Sequence, residues 1–186
     1  MQQRHRELLL HWRDPAKVAT AAGLYDVIPA GEFQPSSIGP HDQANDFDIW
    51  RNIAREYSEE LLGTPEHDGS TGTPIDYDAW PFYRLLGQAR AEGKLAAFCL
   101  DALTLAATIL TVVVIDDDVF DEAFRDAVGV NAEGITIFDE RGDDTGQGIP
   151  FIDRTVNHLL NSEPMASPGA ACLALAWRHR IALLTS

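Results

Sequence analysis

Apolar residues in this chain recur first at strand spacing and then at helix spacing. Glu7–Arg13 is apolar and aromatic, and Gly23–Ile28 is a second short run stopped by Pro29 and followed by Ala30-Gly31. Both read as strands, with 29–31 as a turn. Gln34–Asp46 is rich in Pro, Ser, Gly, Asn and Asp, which predicts a surface loop. Beyond it Trp50, Ile53, Tyr57 and Leu61 recur at helical spacing, predicting a helix from near Asp46 to Leu62, with Asn45 or Asp46 as its cap and Gly63 as its stop. Thr64–Asp78 is a second polar loop, and Ala79–Ala91 a shorter helix ended by Gly93. Leu95–Leu100 and the β-branched run Thr108–Ile115 predict strands, the second suited to the middle of a sheet and ended by Asp116-Asp117-Asp118. Val119–Val128 reads as helix, Gly134–Phe138 as strand and Glu140–Gly148 as an acidic, glycine-rich loop. Asp153–Leu160 and Gly169–Leu184 read as closing helices, with Asp153 and Ser167 in their cap regions. Strands and helices that interleave without a regular βαβ period predict an α/β (α+β) fold, a mixed sheet covered by helices.

Composition narrows the partners. A chain of 186 residues favours one domain spanning 1–186, and a hydrophobic fraction of 45% is that of a globular protein. Twenty-nine acidic against 14 basic residues give a formal charge of -15, which repels phosphate backbones and argues against direct nucleic-acid binding. Small phosphorylated ligands stay open where a metal ion neutralises them. Cys99 and Cys172 lie in apolar contexts without metal-ligand spacing and read as core thiols. Leu103–Ile115 is the most apolar stretch and is too short to span a bilayer, so the expectation is a cytoplasmic chain without a membrane partner. A monomer and a homodimer are both compatible with this reading.

The chemistry concentrates before Gly63, where the chain reads Arg55-Glu56-Tyr57-Ser58-Glu59-Glu60-Leu61-Leu62-Gly63. At about 100° per residue the three glutamates fall within an arc of roughly 100°, with the apolar positions assigned to the far side. Three carboxylates so close repel one another, and a hard cation such as Mg²⁺ or Mn²⁺ relieves the repulsion. A solvated acidic helix face is the plainer alternative. The order of residues resembles the Nudix box, with Val27-Ile28-Pro29-Ala30-Gly31-Glu32 similar to its lead-in and Arg55–Gly63 similar to its helix. That resemblance implies a Nudix-like fold, Glu56, Glu59 and Glu60 as metal ligands, Glu59 and Glu60 also in catalysis, and Arg55 orienting them through an ion pair. The chain departs from the pattern in three places. Phe47, flanked by Asp46 and Asp48, stands where the family has Glu; the stretch from Gly31 to Arg55 is longer; and Leu62 occupies the place of the closing Gly. Arg55 is therefore left to pair with Asp48, with Glu32 or with neither.

The run from Asp14-Pro15 through Tyr25-Asp26-Val27-Ile28-Pro29-Ala30-Gly31-Glu32-Phe33-Gln34-Pro35-Ser36-Ser37 is similar to C-terminal modules of actinobacterial helix-turn-helix regulators. This second resemblance implies a Nudix-like module that senses a nucleotide-like ligand. Two functions follow as expectations: a Mg²⁺- or Mn²⁺-dependent Nudix-type hydrolase of a nucleoside-diphosphate-linked small molecule, or a non-catalytic ligand-sensing domain of a transcriptional regulator. Glu133 resembles the later acidic residue that Nudix enzymes use as base or extra ligand, although a turn carboxylate explains it as well. Asp116–Asp118 and Asp143-Asp144 read as solvated loop acids. His41 and His67 flank the box helix on loops, and Trp177–Arg180 reads as a helix C-terminus favouring cations.

Overall fold

The alternation at the start of the chain becomes a sheet. The computed structural model describes residues 7–67, 72–103, 107–131, 133–137 and 148–185. β1 (Glu7–Leu8) and β2 (Leu10–Arg13) occupy the first predicted strand, and β3 (Tyr25–Val27) the second. α1 (Pro40–Asp46) and α2 (Ile49–Leu62) follow, then α3 (Pro81–Ala91), β4 (Leu95–Leu103), β5 (Ala107–Ile115) and α4 (Asp117–Ala123). β6 (Gly134–Ile137), β7 (Ile149–Pro150), α5 (Asp153–Ser162) and α6 (Ser167–Thr185) complete a mixed α/β class. The described strands form small sheets in the orders β1-β7, β3-β2-β6 and β4-β5. No helix among the described residues is long and apolar enough to cross a membrane.

The chain folds into two compact units, the first of 1–28, 97–113 and 129–186, the second of 29–96 and 114–128. In the first, β2 pairs antiparallel with β3 and with β6, setting Leu10 opposite Val27 and Ile137, and His11 opposite Asp26 and Thr136. Side chains alternate across a strand, so these two rows lie on opposite faces. The Leu10 row joins Val156, Leu159 and Leu173 in the core. The polar row is buried as well, with His11 at 0%, Asp26 at 7% and Thr136 at 3% exposure. A Cβ on Gly134 would collide with the Trp12 carbonyl, which is why the strand that abuts β2 begins at glycine. Cys172, a free thiol, is buried here; the Cys99 side chain, Phe138 and the expected loop 140–147 lie outside the described residues.

The second unit is helical. Its core gathers Ile53, Tyr57, Leu61, Leu86, Ala89, Val119 and Phe124, with Phe124 edge-on to Tyr57 and to Phe82 at centroid distances of 5.5 and 5.7 Å. α1 lies inside the stretch expected to be loop. Its sequence Pro-His-Asp-Gln-Ala-Asn-Asp offers Pro at a first-turn position, but its single buried residue is Asp46, so it carries no apolar stripe to reveal it. The N-cap of α2 is Asp48, whose side chain accepts from Arg51 N–H, and not Asn45 or Asp46. Gly63 ends the helix at φ 64°, a left-handed conformation that favours glycine, with its N–H donating to the Ser58 carbonyl.

Candidate functional site

α2 begins as a sequence with one apolar stripe and ends buried around most of its circumference. Asn52, Arg55, Ser58 and Glu60 are buried along with Ile53, Ala54, Tyr57 and Leu61. The single buried stripe expected from the spacing is thus widened, because neighbouring segments cover the polar side too and leave Glu56 and Glu59 half-buried. Burying four polar side chains is tolerable only with partners, and each has one.

The three glutamates meet different neighbours. Glu60 is buried and its Oε1 accepts the Ala30 N–H at 2.8 Å. Glu56 packs against Gly31, where a Cβ would displace its carboxylate. Glu59 Oε1 accepts the His67 N–H at 3.2 Å and lies 3.3 Å from His67 Nδ1. The turn at 29–31 and the segment leading to His67 thus both rest on the acidic side of α2. Among the described residues no three His, Cys, Asp or Glu side chains converge closely enough to hold a metal ion. Glu59 and Glu60 share a helix and engage separate segments of the chain.

Arg55 pairs with neither Asp48 nor Glu32. Its Nη1 donates to Tyr77 Oη at 2.8 Å, and its Nη2 donates to the Gln34 carbonyl at 2.5 Å and to Asn52 Oδ1 at 3.0 Å. Tyr77 in turn donates to Asp46 Oδ1 at 3.1 Å. Asp46 also accepts from Ser36 N–H at 3.1 Å, from the Ser36 hydroxyl and from Asn45 Nδ2 at 3.0 Å. Burial alone would raise the Asp46 carboxyl, but the bonds from Ser36 and Tyr77 and the Arg55 charge outweigh it and hold it below the usual carboxylate range. Burial pushes the Tyr77 hydroxyl up to about 12, so it stays a protonated donor. Asp46, one residue from the position where Phe47 replaces the expected Glu, thus reaches Arg55 through Tyr77. Sequence reading gave Asp46 only as a helix cap and missed Tyr77, which sits in a stretch that reads as polar loop.

Beside Glu59 lies an aromatic group. The His67 ring is 5.4 Å from that of Trp80, which stacks on Tyr83 at 6.4 Å with an interplanar angle of 11°. Arg51 lies over the Tyr77 ring at 4.6 Å. Glu133 belongs to the other compact unit and makes an ion pair with Arg13 at 2.9 Å. His41 is exposed at the start of α1. No protein-family model, no curated protein and no solved structure matches this chain.

Proposed function

We propose that this chain is a Nudix-like domain in which α2 binds a nucleotide-like small molecule, and that it senses this ligand, as a regulatory module would, without hydrolysing it. The ligand class follows from the resemblance of Arg55–Gly63 to the Nudix helix. The observation that carries the sensing role is the separate engagement of the glutamates: Glu60 with the Ala30 N–H, and Glu59 with His67. Metal-assisted hydrolysis needs a fixed coordination geometry and a positioned water. No three acidic or imidazole groups converge to fix one among the described residues. Mg²⁺ is commonly held by one or two carboxylates plus the phosphates of a ligand, so a divalent ion arriving with the ligand fits Glu56 and Glu59 and would neutralise the phosphate charge. Without such an ion an acidic chain repels a diphosphate.

One observation favours the hydrolase as a second reading. Arg55 is joined through Tyr77 to Asp46, and the turn at Gly31 approaches Glu56, so Arg55 has buried partners despite Phe47. In that reading a glutamate takes the proton of the attacking water. Both are tested on one sample, by following melting temperature and released phosphate with nucleoside-diphosphate compounds and Mg²⁺ or Mn²⁺. A rise in melting temperature with the compound recovered intact supports sensing. Cleavage that EDTA abolishes, and that Glu59→Gln with Glu60→Gln abolishes, replaces sensing by hydrolysis. No response to any compound removes both.

A further inference from the structure

Glu59 holds residue 67 at two points, through its backbone N–H and its Nδ1. In the neutral imidazole whose Nδ1 proton is shared with Glu59 Oε1, Nε2 is a hydrogen-bond acceptor. The side chain is not sealed off, being 31% exposed, with Glu59 at 21%. The same ring lies against Trp80, itself half-buried and backed by Tyr77, Phe82 and Tyr83, so the indole is held in place by other rings. An imidazole nitrogen able to accept, beside an aromatic residue braced by other rings, is suited to a flat, nitrogen-rich ring. Stacking holds such a ring with little sequence preference, while one directed hydrogen bond tells one ring from another.

We infer that His67 and Trp80 read the heteroaromatic ring of the ligand, Trp80 by stacking on it and His67 Nε2 by accepting a hydrogen bond from a ring N–H or an exocyclic amino group. This rests on the reading of α2 as the binding helix for a nucleotide-like ligand, and it adds which end of that ligand is recognised and by what. Glu59 acts on the ring through His67 as a positioning residue.

The test is calorimetric titration of the full chain with adenosine, guanosine, cytidine and uridine diphosphates and with inorganic pyrophosphate, each with Mg²⁺. The expected result is unequal affinity for the four nucleoside diphosphates, with His67→Ala levelling the differences and leaving pyrophosphate binding unchanged. His67→Gln, whose amide oxygen can stand in for the Nε2 acceptor, restores part of them. Trp80→Leu weakens all the nucleoside diphosphates by about ten- to a hundredfold, the range of one lost base stack, again sparing pyrophosphate. An unchanged preference in His67→Ala, or unchanged nucleoside diphosphate binding in Trp80→Leu, overturns the inference. Pyrophosphate and nucleotides bound equally well by the unaltered chain overturn it while leaving the α2 reading standing. Binding of neither sinks both.

Discussion

Each compact unit buries ionisable side chains, and the two handle them in opposite ways. Around α2, bonds from Ser36 and Tyr77 hold the buried Asp46 carboxyl below its usual range, and the buried Arg55 donates to Tyr77, Asn52 and the Gln34 carbonyl. In the three-stranded sheet, His11 is pushed down to about 4, first by burial and then by the Arg13 charge, with a bond to Asn131 only partly opposing. Asp26 is raised, chiefly by burial, and the Thr136 hydroxyl has no hydrogen-bond partner among the described residues. One region thus stabilises charge and the other suppresses it. A buried polar residue in the first should be sensitive to loss of a partner, and in the second to pH.

The largest expected effect is in the first region. Arg55→Met removes the donor to Tyr77 Oη, Asn52 Oδ1 and the Gln34 carbonyl and should destabilise the chain by about 3–5 kcal/mol, measured by urea denaturation. Tyr77→Phe removes one hydrogen bond on each side and should cost about 1–3 kcal/mol. If Arg55→Met proves as mild as Tyr77→Phe, the Arg55 bonds to Asn52 and the Gln34 carbonyl add little to the one through Tyr77.

The second region should answer to acid. The folded value for His11 lies below its ordinary 6.5, so as pH falls the unfolded chain takes up the proton first. Stability contributed by neutral His11 is complete above about pH 6.5 and lost as pH drops towards 4, by about 3 kcal/mol. Asp26, raised in the folded state, works in the opposite sense and gains stability as pH falls, so it offsets part of the loss. His11→Gln should flatten the decline in a series of denaturation curves between pH 7 and 4; an equally steep decline would mean that another group drives it.

The smallest effect marks the boundary of the comparison. Lys94 Nζ and Asp118 lie 2.9 Å apart on the surface of the second unit, each raising or lowering the other in the sense of an ion pair. Water screens such pairs, so Lys94→Ala should leave the melting temperature unchanged within error. A loss comparable to that of Tyr77→Phe would show that exposure does not separate the strong interactions from the weak ones here.

How much of this was legible in the sequence depends on whether a residue's role follows a period. Ile53, Tyr57 and Leu61 announce α2 because apolar burial repeats at the period of the element, and the run 108–115 announces β5 by its β-branched residues. The same rule hides His11, since a polar residue alternating with Leu10 and Trp12 reads as solvent-facing until something covers that face. It hides Asp46 and Tyr77 as well, for their value lies in contacts across 31 positions of sequence. β7 is only two residues long and offers no period at all. The glutamates of α2 were legible as a group, but their separate partners were not: these are set by loops whose paths no local pattern dictates.

The wrapping of α2 has a consequence in time. A helix open to water on one side can fray or breathe without disturbing its neighbours, whereas one enclosed by its own loops must wait for them to lift. Asn52, Arg55, Ser58 and Glu60 each tie the helix to surrounding backbone or side chains, so its amide protons should be among the last in the second unit to exchange with solvent. A molecule that displaces the turn at 29–31 would therefore register as faster exchange along the middle of α2, well before the helix itself unwinds.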